Sequence, residues 1–177
     1  MKTINAILCL ALFAVACQPK PDTTADDLFK KNSETALSYL KAWESENVDY
    51  SIFADDYVSR ETGFGSEVDS IGLAEAKEWN SKMLAQYDFK MMGDPVFLPG
   101  VNPDTKKPDG SVRYYGDWEI ILPATDSTEA RSAVLKAYHS FDFNAEGKLA
   151  YEQMYGDFTG VMMYLHKPAE EPMAAEE

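Results

Sequence analysis

The chain has 177 residues, enough for one domain with short appendages. It carries 30 acidic against 16 basic side chains, a formal net charge of −14. That excess disfavours nucleic-acid binding, which needs a basic surface to displace counterions, and leaves any membrane attachment dependent on lipid rather than on a basic patch. The cysteines are Cys9 and Cys17, both ahead of the folding region. The domain therefore has no disulfide, no cysteine nucleophile and no Cys-ligated metal.

Residues 1–17 read as an export signal. Lys2 precedes an unbroken apolar run from Ala6 to Ala16, too short to span a bilayer but suited to a secretory core. It ends Phe13-Ala-Val-Ala-Cys17, which resembles a bacterial lipobox. The resemblance implies cleavage before Cys17 and lipidation there, placing the protein in the bacterial cell envelope. An ordinary signal peptide cut near Ala16 is the alternative. Residues 18–25, with Pro19 and Pro21, form a linker, 26–166 a single domain, and 167–177 an acidic disordered tail.

Within the domain, Phe29, Ala36, Leu40 and Trp43 share one helical face over Asp26–Glu46, with Tyr39 at its edge. Asn47–Asp56 reads as a short second helix and Tyr57–Glu61 as a brief strand. Thr62–Asp69 is a loop whose Gly63 and Gly65 do not make a phosphate-binding fingerprint. Leu73–Tyr87 is a third helix with Ala76, Trp79, Met83 and Tyr87 on one side.

Strands follow. Phe89–Leu98 is interrupted at Gly93-Asp-Pro95, and Pro99–Gly110 is a polar loop. Asp104 and Asp109 in that loop lack the spacing of a cation site. Val112–Leu122 alternates cleanly. After a turn at Pro123–Glu129, two alternating arms flank Asn144-Ala-Glu-Gly147, where Gly147 supplies the positive φ of a three-residue hairpin loop. The second arm runs on towards Tyr164. Helices first and hairpin-linked strands after predict an α+β fold.

Along the first arm, Leu135, Ala137, His139, Phe141 and Phe143 form the apolar, inward face. With a loop of Ala145-Glu-Gly147 and regular pairing, Phe143 faces Leu149, His139 faces Gln153, and Leu135 faces Asp157. The inner face of the second arm is then Leu149, Tyr151, Gln153, Tyr155 and Asp157. An apolar interior would thus hold a polar cluster around His139, which is either self-satisfied, with His139 bonded to Gln153 or a tyrosine, or the wall of a wet pocket. His166 sits at the tail boundary, and two isolated histidines do not suggest a metal site.

Three stretches carry a family resemblance. Tyr39-Leu-Lys-Ala-Trp43 with Phe53-Ala-Asp-Asp56, Gly72-Leu-Ala-Glu-Ala76, and Tyr138-His-Ser-Phe-Asp-Phe-Asn-Ala-Glu-Gly-Lys-Leu149 with Tyr155-Gly-Asp157 resemble the nuclear transport factor 2-like superfamily. That superfamily includes SnoaL-like polyketide cyclases and ketosteroid isomerases. The resemblance implies a curved antiparallel sheet forming a cone, packed against about three N-terminal helices and enclosing a pocket. The isomerase tyrosine falls on Tyr39, the base near Glu61 and the second acid on His139, while a late-strand acid used by the cyclases falls on Asp157. Glutamate can still serve as a base and histidine as a donor. Trp43, Trp118, Tyr114, Gln153 and Tyr155 would line the pocket, with no cofactor and no metal. The expected function is binding of a small apolar or amphipathic ligand by a lipid-anchored exported domain. The alternatives are proton transfer or cyclisation on a carbonyl compound, and assembly through a homodimer.

Overall fold

The computed structural model describes residues 24–168. The expected signal peptide, its Cys17 and most of the linker and acidic tail lie outside them. Helix α1 spans Thr24–Glu44, so it already includes the last two residues of the expected linker. Its inward stripe is Asn32, Ala36, Tyr39 and Leu40, spaced by four, three and one as a helical face requires. Asn32 is polar but satisfied in part: its Nδ2 donates to the Gly110 carbonyl at 2.8 Å. That bond ties the helix to the far end of the sheet.

Asn47–Asp56 is not a helix. Only Tyr50–Ile52 makes a 3₁₀ turn, capped by Asp49, whose carboxylate accepts from the Ser51 N–H at 2.9 Å. The chain then extends as β1, Phe53–Arg60, with Phe53, Ala54 and Tyr57 buried. A short apolar run does not distinguish helix from strand by its period. Pairing on both flanks decides it here. The strand β2, Ser70–Gly72, runs antiparallel on one side, and β6, Leu149–Tyr155, runs parallel on the other.

Helix α2 follows at Leu73–Gln86, its first turn held by the Glu75 carboxylate, which accepts from the Gly72 N–H at 2.9 Å. Strands β3 (Asp88–Val101), β4 (Pro108–Leu122) and β5 (Arg131–Phe143) complete a six-stranded sheet in the order β2-β1-β6-β5-β4-β3. The sheet is mixed, since the β1–β6 pair is parallel and the others are antiparallel. Much of the polar loop expected at Pro99–Gly110 is strand, and only 102–107 turn. The Gly93-Asp-Pro95 interruption is a register shift inside β3, with Gly93 at φ +77.

The α+β class is as expected, and the curved sheet wraps α1 and α2 into a cone. The third helix is C-terminal. The second hairpin arm ends at Tyr155, and α3 covers Phe158–Leu165, packing on β5. Asp157 caps α3, its carboxylate accepting from the Gly160 N–H at 2.9 Å. An aspartate directly before an apolar run is an N-cap signal readable in the sequence.

The hairpin loop forms as expected, with Gly147 at φ +78. The pairing beyond it is not regular. Phe143 faces Leu149, but Asp142 faces Tyr151, so Ala150 is an extra residue on β6. Such a bulge exchanges the inner and outer faces of everything after it. Glu152, opposite Phe141, and Met154, opposite His139, therefore point inward. Tyr151, Gln153 and Tyr155 move to the outer face, where Tyr115, Tyr138 and Tyr155 stand side by side across three strands.

Candidate functional site in the cone

The concave sheet face and the three helices leave a cavity of about 390 Å³. Its walls are largely apolar, among them Leu40, Trp43, Met83, Trp118, Ile120 and Leu135. Exposed Thr62, Gly63 and Trp79 mark its mouth. Of the expected site residues, Tyr39, Glu61, His139, Trp43 and Trp118 all line this cavity.

The other four do not line it. Tyr114 points inward but is fully buried in the packed part of the core, against Phe97 at 5.8 Å. Its hydroxyl occupies the space that a side chain at Gly116 would take, which is why position 116 needs glycine. Gln153 and Tyr155 are on the outer face because of the Ala150 bulge; there Gln153 Nε2 donates to the Tyr155 hydroxyl. Asp157 is past the sheet, spent on the cap of α3.

The bulge brings in Glu152 instead. It is only 8% exposed, and its two oxygens differ. Oε1 accepts from the hydroxyl of buried Tyr57. Oε2 lies 3.3 Å from His139 Nε2, within ion-pair distance, and has no hydrogen-bond partner among the described residues. His139 itself is buried, its ring tilted 35° to that of Phe141 at 4.1 Å between ring centres. The expected hydrogen bond of His139 to Gln153 or a tyrosine does not form, and Glu152 lies within ion-pair distance of its Nε2 instead.

Tyr39 stands on the same wall through α1, its ring edge-on to Phe53 at 5.3 Å and Phe141 at 6.1 Å. Burial first, and then the negative charge of Glu152, hold its hydroxyl well above the ordinary tyrosine range. The same two causes, in the same order, act on Tyr57. Both phenols therefore remain proton donors throughout the physiological range. Asn80, buried on the inward face of α2 four residues after Ala76, adds an amide to the cavity wall. Its position on that apolar helical face is the sequence signal for it.

Glu61 sits half-buried just beyond β1, beside exposed Arg60 and Thr62. No side-chain hydrogen bond joins it to Tyr39 or His139 among the described residues. The cavity wall brings together Glu152, His139 and Tyr39, a carboxylate, an imidazole and a phenol, while Tyr57 bonds Glu152 from outside the lining. Such a group can exchange a proton with a bound molecule or hold a polar atom of it by hydrogen bonds. Among the described residues, no three His, Cys, Asp or Glu side chains cluster as metal ligands would.

No protein-family model and no curated protein matches the sequence. Solved structures do. A nuclear transport factor 2-like protein from Anabaena variabilis superposes with a TM-score of 0.58 at 10% identity, covering 80% of this chain and 95% of its own. The chain has the nuclear transport factor 2-like fold.

Two further structures share it. A phenazine biosynthesis-related protein from Pseudomonas aeruginosa matches with a TM-score of 0.55 at 16% identity, over 94% of this chain and 99% of that one. SalBIII, an epoxide hydrolase/cyclase-like enzyme of pyran ring formation in salinomycin, matches at 0.55 and 17%, over 73% and 93%. In the nuclear transport factor 2-like fold of this chain, the cone interior carries the cavity, and the parallel β1–β6 pair sets Tyr57 against Glu152.

Proposed function

We propose that the protein binds a small, mainly apolar molecule inside the cone, with one polar group held at Glu152, His139 and Tyr39. One observation carries this reading. An apolar cavity of about 390 Å³ has a buried carboxylate on its wall, and one oxygen of that carboxylate has no hydrogen-bond partner among the described residues. Buried polar groups without partners are costly, and a ligand would supply the missing donor. Binding of the neutral fluorophore N-phenyl-1-naphthylamine tests it. Ala76 is buried and lines the cavity, so Ala76→Trp fills space without creating a new core. The probe should bind the parent protein and be lost on Ala76→Trp; equal binding by both excludes the cone as its site.

The His139–Glu152 pair favours a second reading, an acid–base enzyme for a carbonyl compound. Glu152 with His139 would move the proton and Tyr39 would donate to the developing oxyanion. The base is then Glu152 rather than Glu61, which lies at the mouth. Positioned acid–base groups contribute about 10²–10⁴-fold to rate, so Glu152→Gln should cost a turned-over substrate at least about 10²-fold on that scale. Retained turnover removes this reading.

Anchoring at the cell envelope through lipid on Cys17 belongs to the same proposal. No helix among the described residues is long and apolar enough to cross a membrane. Labelling with radioactive palmitate in a bacterial host, lost on Cys17→Ser, is the expected result; label retained on Cys17→Ser would move the attachment elsewhere.

A further inference from the structure

We infer that the ligand is an organic cation, an amine on an otherwise apolar body, and this rests on the reading that the cone binds a ligand. Four features bear on the sign of the charge. The first is Glu152, whose buried Oε2 makes no hydrogen bond among the described residues and has the His139 ring nitrogen 3.3 Å away beside it. A carboxylate taken out of water is compensated by charge and donors together, and an ammonium group supplies both. A neutral ligand supplies at most a donor. An anionic one would set two like charges close together in a medium of low dielectric.

Second, the walls are aromatic. Trp43 stands edge-on to Trp79 at 6.1 Å, to Phe89 at 5.0 Å and to Tyr39 at 6.5 Å, and all four rings line the cavity. The negative faces of such rings attract cations, tryptophan most strongly. Third, the basic groups that could oppose a cation are few. Among the described residues of the lining, Arg60 is the only lysine or arginine, and it is exposed at the mouth beside Glu61, where water and salt screen it. His139 is the other nitrogen base, and it already faces Glu152. Fourth, the net charge of −14 raises the local concentration of cations around the whole molecule.

Tryptophan fluorescence of the full-length chain separates these possibilities. The titrants are decylammonium, decan-1-ol and decanoate, three chains of equal length that differ in charge, the ions kept below their micellar concentrations and the alcohol below its solubility limit at neutral pH. Decylammonium should bind at least about tenfold more tightly than decanol, the scale of a desolvated cation–π contact with an added charge pair, and decanoate should bind least. Raising salt to about 0.5 M should leave that order in place, because a buried pair is screened far less than surface charge. Glu152→Gln should bring decylammonium down to the decanol level, and an unchanged near-ultraviolet circular dichroism spectrum of the variant reports an intact cone. Decanoate binding as tightly as decylammonium overturns the inference, as does a preference for the cation that survives Glu152→Gln or vanishes in salt. If none of the three binds the parent protein, the ligand-binding reading falls and the inference with it.

Discussion

Replacing Glu152 by alanine and by glutamine should have unequal costs, and the difference can be worked from the structure. The Tyr57 hydroxyl is buried, with the residue 2% exposed, and it donates to Glu152 Oε1. Alanine removes the acceptor and leaves that hydroxyl unsatisfied, a loss of about 1–3 kcal/mol. It also removes one buried methylene, worth about 0.8 kcal/mol. Glutamine keeps the acceptor for Tyr57, and its amide nitrogen can turn to His139 Nε2, which is 3.3 Å from the present Oε2. The expected gap between Glu152→Ala and Glu152→Gln is therefore about 2 kcal/mol. For a chain of this length that gap corresponds to about 4–8 °C in Tm. Urea denaturation followed by tryptophan fluorescence measures it. In a Tyr57→Phe background, where no hydroxyl is left to satisfy, the gap should shrink below about 1 kcal/mol. Equal costs for alanine and glutamine, or a gap indifferent to Tyr57→Phe, would refute the hydrogen-bond argument. A Glu152→Gln variant that is as stable as the parent but binds no cation would mark a residue kept for binding rather than for folding.

Three further outcomes follow from the same geometry. Burial raises Tyr39 and Tyr57 above the ordinary tyrosine value of 10.0 and pushes Tyr114 up to about 12. The unfolded chain then releases these protons first, so their contribution to stability is complete below pH 10 and is lost as pH rises above it; urea midpoints that stay flat between pH 10 and 12 would contradict this. Tyr87 and His166 share a 2.6 Å hydrogen bond that ties the end of α3 to the end of α2, so Tyr87→Phe should cost about 1 kcal/mol and speed amide exchange in α3, where Phe158 and Met162 line the cavity. Gly147 sits at φ +78, so Gly147→Ala should cost about 1–2 kcal/mol through backbone strain, with the Lys31 side chain moving aside for the added Cβ and a folded structure still seen by circular dichroism.

The residues that act through local period were legible. Tyr39, Leu40 and Ala36 fall on one face of α1 by spacing, and the alternation of Leu135, Ala137, His139 and Phe141 puts His139 inside whatever it pairs with. The turn at Gly147 follows from the conformational freedom of glycine. These are properties of a few consecutive residues, and they suffice for the α+β class and for the walls that α1 and β5 give the cavity. The face of β6 was not legible, because a bulge is a relation between two strands. One extra residue at Ala150 reverses the phase of everything beyond it, so Gln153 and Tyr155 leave the interior and Glu152 enters. Nor could local pattern show that this strand begins at Phe53, since only Tyr57–Glu61 read as strand. Its neighbour β6 lies about ninety residues on, and the parallel pairing of the two brings Tyr57 to Glu152. The sequence by itself determined which arms and helices turn an apolar side inward. Only the tertiary structure decided which charged group went in with them, since that depends on strand register, which long-range pairing sets.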